Sequence, residues 1–292
     1  MKSATLIKIE LLLLLVIFLF APFTFLKPKV TEKVTEDKPV KVVEKKAPKQ
    51  VIKKIYEKPR HEVALPDFAA IKDVKTKKRK FFDFMKPAVV RQNNALLATR
   101  VKLNQWLENI SLELPLSEQA YIELNELVKR YRVNKDASLL SQLNELLVRV
   151  DVVPMPLVLV QAANESAWGT SRFSRIGLNF FGIWCYQKGC GMVPRGRNTG
   201  AKHEVEAFKS LDAGVARYFY NINSHNAYRV FRTIRFELRA QDQLLNPEVL
   251  ATGLLPYSER GADYVTDITK MLRQNQQYLI ADDKKITVNI AE

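Results

Sequence analysis

The chain has 292 residues, enough to bury one sizeable core in one domain or two small ones. With 47% hydrophobic and 26% charged residues it has a globular composition, which excludes wholesale disorder. The formal net charge of +15 is concentrated toward the N-terminus: 12 Lys and Arg stand against 5 Asp and Glu between Lys27 and Arg60, and Lys75, Lys77, Lys78, Arg79 and Lys80 follow.

In chain order, Leu11 to Leu26 is apolar apart from Thr24 and reaches the lower end of the length that spans a bilayer. Ala21-Pro-Phe-Thr is a poor small-x-small cleavage site, so residues 1–26 read as a single-pass transmembrane anchor or an uncleaved signal. Lysines flank the segment on both sides and leave its orientation open. Residues 27–76 read as a basic, low-complexity, disordered spacer that self-repels and stays extended. Its lysines alternate with Val, Pro and Glu rather than with a series of aromatics, which favours a tether over a nucleic-acid-binding segment. Leu65-Pro-Asp-Phe68 is placed to dock on the folded body.

The folded domain is expected over residues 77–285, with a helical pattern from Phe81 onward. Ala88 to Ile110 carries a broad apolar stripe, with Pro87 suited to its first turn. Ala120, Leu124, Leu127, Val128 and Tyr131 repeat at helical spacing behind a capping Ser117, and Leu139, Leu143, Leu146, Leu147 and Val150 do the same. Leu157 to Trp168, opened by Pro154 and Pro156 and closed at Gly169, is apolar nearly all round and predicts a buried central helix. His203 to Phe208 alternates like one strand of a small hairpin, and Leu211 to Ile222 is helical again behind Ser210. The fold class is mainly α with one minor β excursion, an α+β arrangement with nothing of a doubly wound sheet. Cys185 and Cys190 are the only cysteines. In an oxidising compartment a disulfide closing their short loop is the natural reading, with inert thiols or a metal site as alternatives. A metal site would need two further ligands, and His61, His203 and His225 show no ligand spacing. No cofactor is expected, and Walker, dinucleotide-binding and G-x-S-x-G motifs do not occur.

The chemistry concentrates on the central helix. Gln161, Glu165 and Trp168, spaced i, i+4 and i+7, place an amide, a carboxyl and an indole on one predicted face. Burial, the neighbouring ring and the negative end of the helix dipole all disfavour a carboxylate there. Glu165 is therefore expected to hold its proton to higher pH, as a general acid does, unless Arg172 or Arg175 pairs with it.

The stretches Ala162-Ala-Asn-Glu-Ser-Ala-Trp-Gly169 and Asn179-Phe-Phe-Gly-Ile-Trp-Cys185 resemble the paired motifs of glycoside hydrolase family 73. The branch containing the bacterial Bax proteins is the most similar, sharing the two cysteines and Tyr220 to Arg232. This resemblance, running from about Phe81 to Leu279, implies a lysozyme-like fold and hydrolysis of the β-1,4 bond after N-acetylglucosamine in peptidoglycan. It places the family's catalytic acid on Glu165 and its site tyrosine on Tyr257, with Tyr264 as companion. Beside the resemblance, the aromatic residues Trp168, Phe181, Trp184 and Tyr186 are candidate sugar-stacking surfaces, Phe181 being equally readable as core, and Gln161, Asn179 and Tyr264 are further candidate substrate contacts. The second carboxylate is not fixed: Glu204 and Glu206 occupy about the right region, and attack by the substrate's own acetamido oxygen is the other route. A muramidase or lytic transglycosylase on the same fold, or a non-catalytic wall-binding module, are the competing functions. The resemblance and the anchor together lead to the expectation of a monomer on the bacterial inner membrane, facing the periplasm.

Overall fold

A computed structural model describes residues 57–197 and 200–279. The expected anchor at residues 1–26 and the spacer as far as residue 56 lie outside the described residues. Among the described residues no helix is long and apolar enough to cross a membrane.

The first helix, α1 (Val74–Ser111), starts well before the expected Ala88 because Asp73 caps it, accepting from the Thr76 N–H at 2.7 Å. Pro87 accordingly lies inside the helix and not in its first turn. An internal proline loses one backbone hydrogen bond and costs about 3 kcal/mol. Here the burial of Phe81, Phe82, Met85, Ala88 and Val89 around it offsets that loss. The spacer also gives way to folded chain earlier than residue 77. Arg60 N–H donates to the Ile176 carbonyl at 2.8 Å, His61 bonds the Arg175 carbonyl, and Glu57 pairs with Arg172. Phe68, as the Leu65 to Phe68 stretch led one to expect, docks on the body, 1% exposed and edge-on to Phe81. Gly169 makes room for it, since a Cβ there would meet the Phe68 ring at 2.5 Å.

Helices α2 (Glu118–Arg130) and α3 (Leu139–Arg149) follow, capped by Ser117 and Ser138. Helix α4 (Met155–Glu165) is buried on nearly every side against α1 and the later helices, as its all-apolar sequence predicts. After the short α5 (Arg172–Gly177) come three short strands, β1 (Trp184–Cys185), β2 (Gly191–Met192) and β3 (Glu204–Glu206). The expected hairpin is in fact a three-stranded antiparallel sheet of order β1-β3-β2, with Trp184 and Met192 both opposite Val205. The remainder is α6 (Leu211–Ser224), α7 (Arg229–Ala240), α8 (Pro247–Ala251), α9 (Ala262–Gln274) and α10 (Gln276–Leu279), with 3-10 turns at Asn226–Tyr228 and Thr252–Tyr257. The architecture is mainly α with one small sheet.

Cys185 and Cys190 form a disulfide that ties β1 to the start of β2. Closing so short a loop restricts the unfolded chain by about 2 kcal/mol. The double variant Cys185→Ser/Cys190→Ser is therefore expected to lose about that much stability in thermal or denaturant unfolding.

Candidate active site

Glu165 is the last residue of α4 and half-buried. The chain breaks away there in an unusual manner: Ala167, Trp168 and Gly169 all have positive φ, at 49°, 58° and 75°. Two non-glycine residues in that region carry strain of about 1–3 kcal/mol each. The turn is held by the Trp168 N–H to the Ala163 carbonyl at 2.8 Å, and by Ser166 Oγ, which donates to the Ala162 carbonyl and accepts from the Gly169 N–H. The acid therefore sits at a fixed, strained helix end, with small residues behind it.

This turn overturns one expectation. Trp168 lies beyond the helix and does not share a face with Glu165. It packs edge-on against Phe81 and Phe82 with Lys78 over its ring, so it is core rather than sugar-binding surface. What faces Glu165 instead is a group of tyrosines. Tyr264, on α9, lies near its carboxyl, and Asn164 Nδ2 donates to Oε1 at 3.0 Å. Tyr257 stacks on Tyr264 at 5.3 Å and donates to the Phe181 carbonyl at 3.0 Å. Tyr218 and Tyr228 approach Tyr257 from the other side. Arg172 and Arg175, the potential ion-pair partners, are turned elsewhere: Arg172 to Glu57, Arg175 to the Thr170 carbonyl.

Burial holds the Glu165 carboxyl above the usual carboxylate range, against the opposing pull of Asn164, Tyr264 and Arg260. The Asn164 donor aimed at Oε1 stabilises the carboxylate that a proton transfer would leave behind.

Beside the acid, Gly182 brings its backbone close enough that a Cβ would come within 3.9 Å of Glu165 Oε2. From there a cavity of about 760 Å³ runs past Tyr257 and Tyr228, over Trp184 and Tyr186, to Arg217 and Tyr220. This size suits a small-molecule or oligomer segment. Trp184 is 48% exposed and lies flat on His203 at 4.1 Å, presenting its free face to the groove.

Several of the expected site residues are buried. Gln161, Asn179, Phe181 and Tyr264 are at most 3% exposed. Asn179 pins the Phe181 to Ile183 turn, donating to the Ile183 and Glu206 carbonyls and accepting from the Phe181 and Ile183 N–H groups. Phe181 stacks on Tyr218 at 4.2 Å and lines the groove. Gln161 bridges Tyr218 and Tyr264. These four are buried and shape the walls of the site.

The candidate second carboxylates diverge as well. Both oxygens of Glu204 accept backbone N–H bonds, from Gly189 at 3.0 Å and Gly191 at 2.8 Å, and these bonds hold its carboxyl below the usual range. It fastens the disulfide loop and is not placed as an acid or base. Glu206 does line the cavity, paired with Arg217 at 3.0 Å. Glu204 lies close to Cys185 and Cys190, but their sulfurs are bonded to one another and offer no thiolate.

The sequence reading missed Tyr218, Tyr228, Asn164 and Arg260 as neighbours of the acid. Tyr218 sits in the apolar stripe of Leu211 to Ile222 and reads as core, and Tyr228 falls in a 3-10 turn with no periodic pattern of its own; Asn164 stands beside Glu165 in the motif itself and was the available signal.

A family model described as glucosaminidase, mannosyl-glycoprotein endo-beta-N-acetylglucosaminidase, matches residues 141–285, from within α3 past α10. The chain is 31% identical over 219 residues to Protein bax of Escherichia coli (strain K12), a match covering 75% of this chain and 77% of that protein. No solved structure matches it significantly. A mainly helical domain with this sequence signature is a glycosidase. The chain belongs to the glucosaminidase family, glycoside hydrolase family 73, in its Bax branch.

Proposed function

We propose that the protein hydrolyses peptidoglycan at the β-1,4 bond after N-acetylglucosamine, with Glu165 as general acid. The observation that carries this reading is a half-buried carboxyl, held above its ordinary range by burial, that lies beside Gly182 at the edge of an aromatic groove and accepts from Asn164 Nδ2. Glu165 gives its proton to the leaving glycosidic oxygen as that bond breaks, and the resulting carboxylate is stabilised by the Asn164 amide. Tyr257 supports this from beneath, stacked on Tyr264 and anchored to the Phe181 carbonyl.

Glu206 is a carboxylate that lines the groove, but Arg217 holds it. The acetamido oxygen of the substrate can therefore do the attacking, the established exception to two-carboxylate catalysis. A single acid also suits a lytic transglycosylase. Mass spectrometry of digested peptidoglycan separates the two: new reducing-end N-acetylglucosamine is expected, and 1,6-anhydro-muramic ends would overturn the hydrolase assignment. Residues 1–26 and 27–56 fit this reading as a membrane anchor and a basic spacer that carry the enzyme to the wall from the periplasmic side.

Trp184 supplies the stacking surface. Its replacement, Trp184→Ala, removes a flat apolar face worth roughly 1–2 kcal/mol to a bound ring and is expected to raise KM about tenfold with a smaller effect on kcat. Steady-state kinetics on soluble wall fragments measure this.

A further inference from the structure

We propose that a second depression, joined to the groove across Arg217 and Tyr220, binds the acidic stem peptide that branches from the muramic acid residues of the substrate. The inference rests on peptidoglycan being that substrate.

Helix α6 forms the ridge between the two depressions. Arg217, Tyr220, Asn221 and Ser224, at i, i+3, i+4 and i+7, line the groove beside the acid. Ala213, Ala216, Arg217 and Tyr220, the same spacing one turn earlier, line a second cavity of about 740 Å³. Arg217 and Tyr220 belong to both sets, and so does Glu206. Across from this ridge, Glu126, Lys129 and Arg130 of α2 line the second cavity, and Arg132, just past that helix, lines the groove. The buried Tyr131 meets the Tyr220 ring at 6.3 Å and so sets the end of α2 against the ridge.

The charge on this wall is positive. Lys129, Arg130 and Arg132 are exposed, and among the described residues none of them has an ion pair. Glu126 is the acid beside them, and Glu206 is neutralised by Arg217. Arg217 itself is set for recognition: its Nε donates to Glu206 Oε2 at 3.0 Å and its guanidinium lies over the Tyr220 ring at 5.6 Å. Its terminal nitrogens have no hydrogen bond among the described residues. A guanidinium fixed by one edge and one face keeps its remaining N–H groups for a planar carboxylate.

Shape selects the class of ligand. An unbranched glycan fills one groove, whereas a second depression opening from its side suits a polymer with a branch. Peptidoglycan carries such a branch on each muramic acid, a short peptide with free carboxylates, and a cationic cleft attracts it. The enzyme therefore acts on strands that still carry their peptides, ahead of any amidase that strips them.

The test compares cleavage by the full chain of peptide-bearing strands and of strands stripped by an amidase. kcat/KM is expected to favour the peptide-bearing strands about tenfold, and the preference should shrink as salt rises. Arg132 has a φ of 58°, which glycine adopts freely, so Arg132→Gly removes a cation without straining the backbone. In that variant the preference is expected to fall about threefold, and in Lys129→Ala/Arg130→Ala/Arg132→Gly to vanish. Trp184→Ala, by contrast, should weaken both substrates alike and keep the preference. A wild type with no preference, or a preference that survives the triple variant, would overturn the proposal. Binding gives a reading free of catalysis. N-acetylmuramoyl-alanyl-glutamate titrated into Glu165→Gln is expected to lose affinity when its carboxylates are amidated, and again in the triple variant. Inorganic phosphate that binds as tightly would overturn the peptide assignment. A wild type that binds the muramoyl peptide but cleaves no glycan would uphold the peptide site and sink the hydrolase reading.

Discussion

Glu165→Gln is expected to lower cleavage of peptidoglycan by about a thousandfold while leaving glycan binding intact, since a positioned general acid contributes roughly 10² to 10⁴ in rate. The amide keeps the shape of the side chain and the groove beside Gly182 but has no proton acidic enough to give. Retention of the variant on insoluble wall material, alongside turnover of soluble fragments, measures the two effects separately; cleavage at the wild-type rate would remove Glu165 from the mechanism. A pH profile adds an independent reading. Glu165 is held above the usual carboxylate range by burial, so the basic limb of wild-type activity should lie above that range, and activity should fall as pH rises through it. The sign for stability is the same. Between the unfolded value and the raised folded value the native state binds the extra proton, so wild-type stability declines as pH rises across that window. The Gln variant has no such proton and should lack this decline, with equal or slightly higher stability above it.

Much of this site was legible before any coordinates. Glu165 could be placed at the end of a buried helix because prolines open Leu157 to Trp168 and apolar residues fill it. The same residues misled about Trp168, because helical spacing was carried through to Gly169. Two consecutive left-handed residues, Ala167 and Trp168, end the helix at the acid itself, and no local propensity marks a non-glycine residue for that conformation. The stop therefore reflects tertiary packing on Phe81 and Phe82, which lie far away in sequence. The tyrosines are a similar case. Tyr218 falls on a core stripe of α6, where a phenol and a phenylalanine read alike until the partner of its hydroxyl is known. The two hairpin glutamates, Glu204 and Glu206, share a face as a strand requires, yet one is taken by Gly189 and Gly191 and the other by Arg217. Only the loop that carries the disulfide, which the alternation pattern does not describe, distinguishes them. The early start of α1 turned on a single cap, Asp73, in a stretch whose charge pattern reads as spacer.

What holds the acid's helix in place is a second, deeper carboxylate, and its removal should produce the largest stability loss in the molecule. Asp151, 2% exposed, lies in the short link between α3 and α4. Its carboxylate takes two bonds at 3.0 Å from Arg239, with Arg100 at 3.5 Å and Arg235 at 3.9 Å. Arg235 is fully buried and donates to the carbonyls of Val148, Arg149, Asp151 and Val152, so it closes the carbonyl end of α3 and fixes the link that starts α4. Burial lowers its guanidinium to about 10 against the opposing pull of the Asp151 charge, so it is a cation at neutral pH. Asp151→Asn preserves shape but leaves that cation without its counter-charge in the interior, which costs about 3–5 kcal/mol. For a domain of this size the melting temperature should fall by about 10 °C. Arg239→Met, at the partly exposed rim of the same cluster, should cost far less. The pH dependence identifies the cause. Burial pushes the Asp151 carboxyl up, but Arg235, Arg239 and Arg100 together bring it below its ordinary value. Its contribution is therefore present above the unfolded carboxylate value and lost as pH falls through the depressed folded one. The gap in stability between wild type and Asp151→Asn should accordingly be widest near neutral pH and narrow on acidification. A gap that stays constant with pH would point to lost packing in place of lost charge, and would leave Arg235 anchoring α4 through its carbonyl bonds alone.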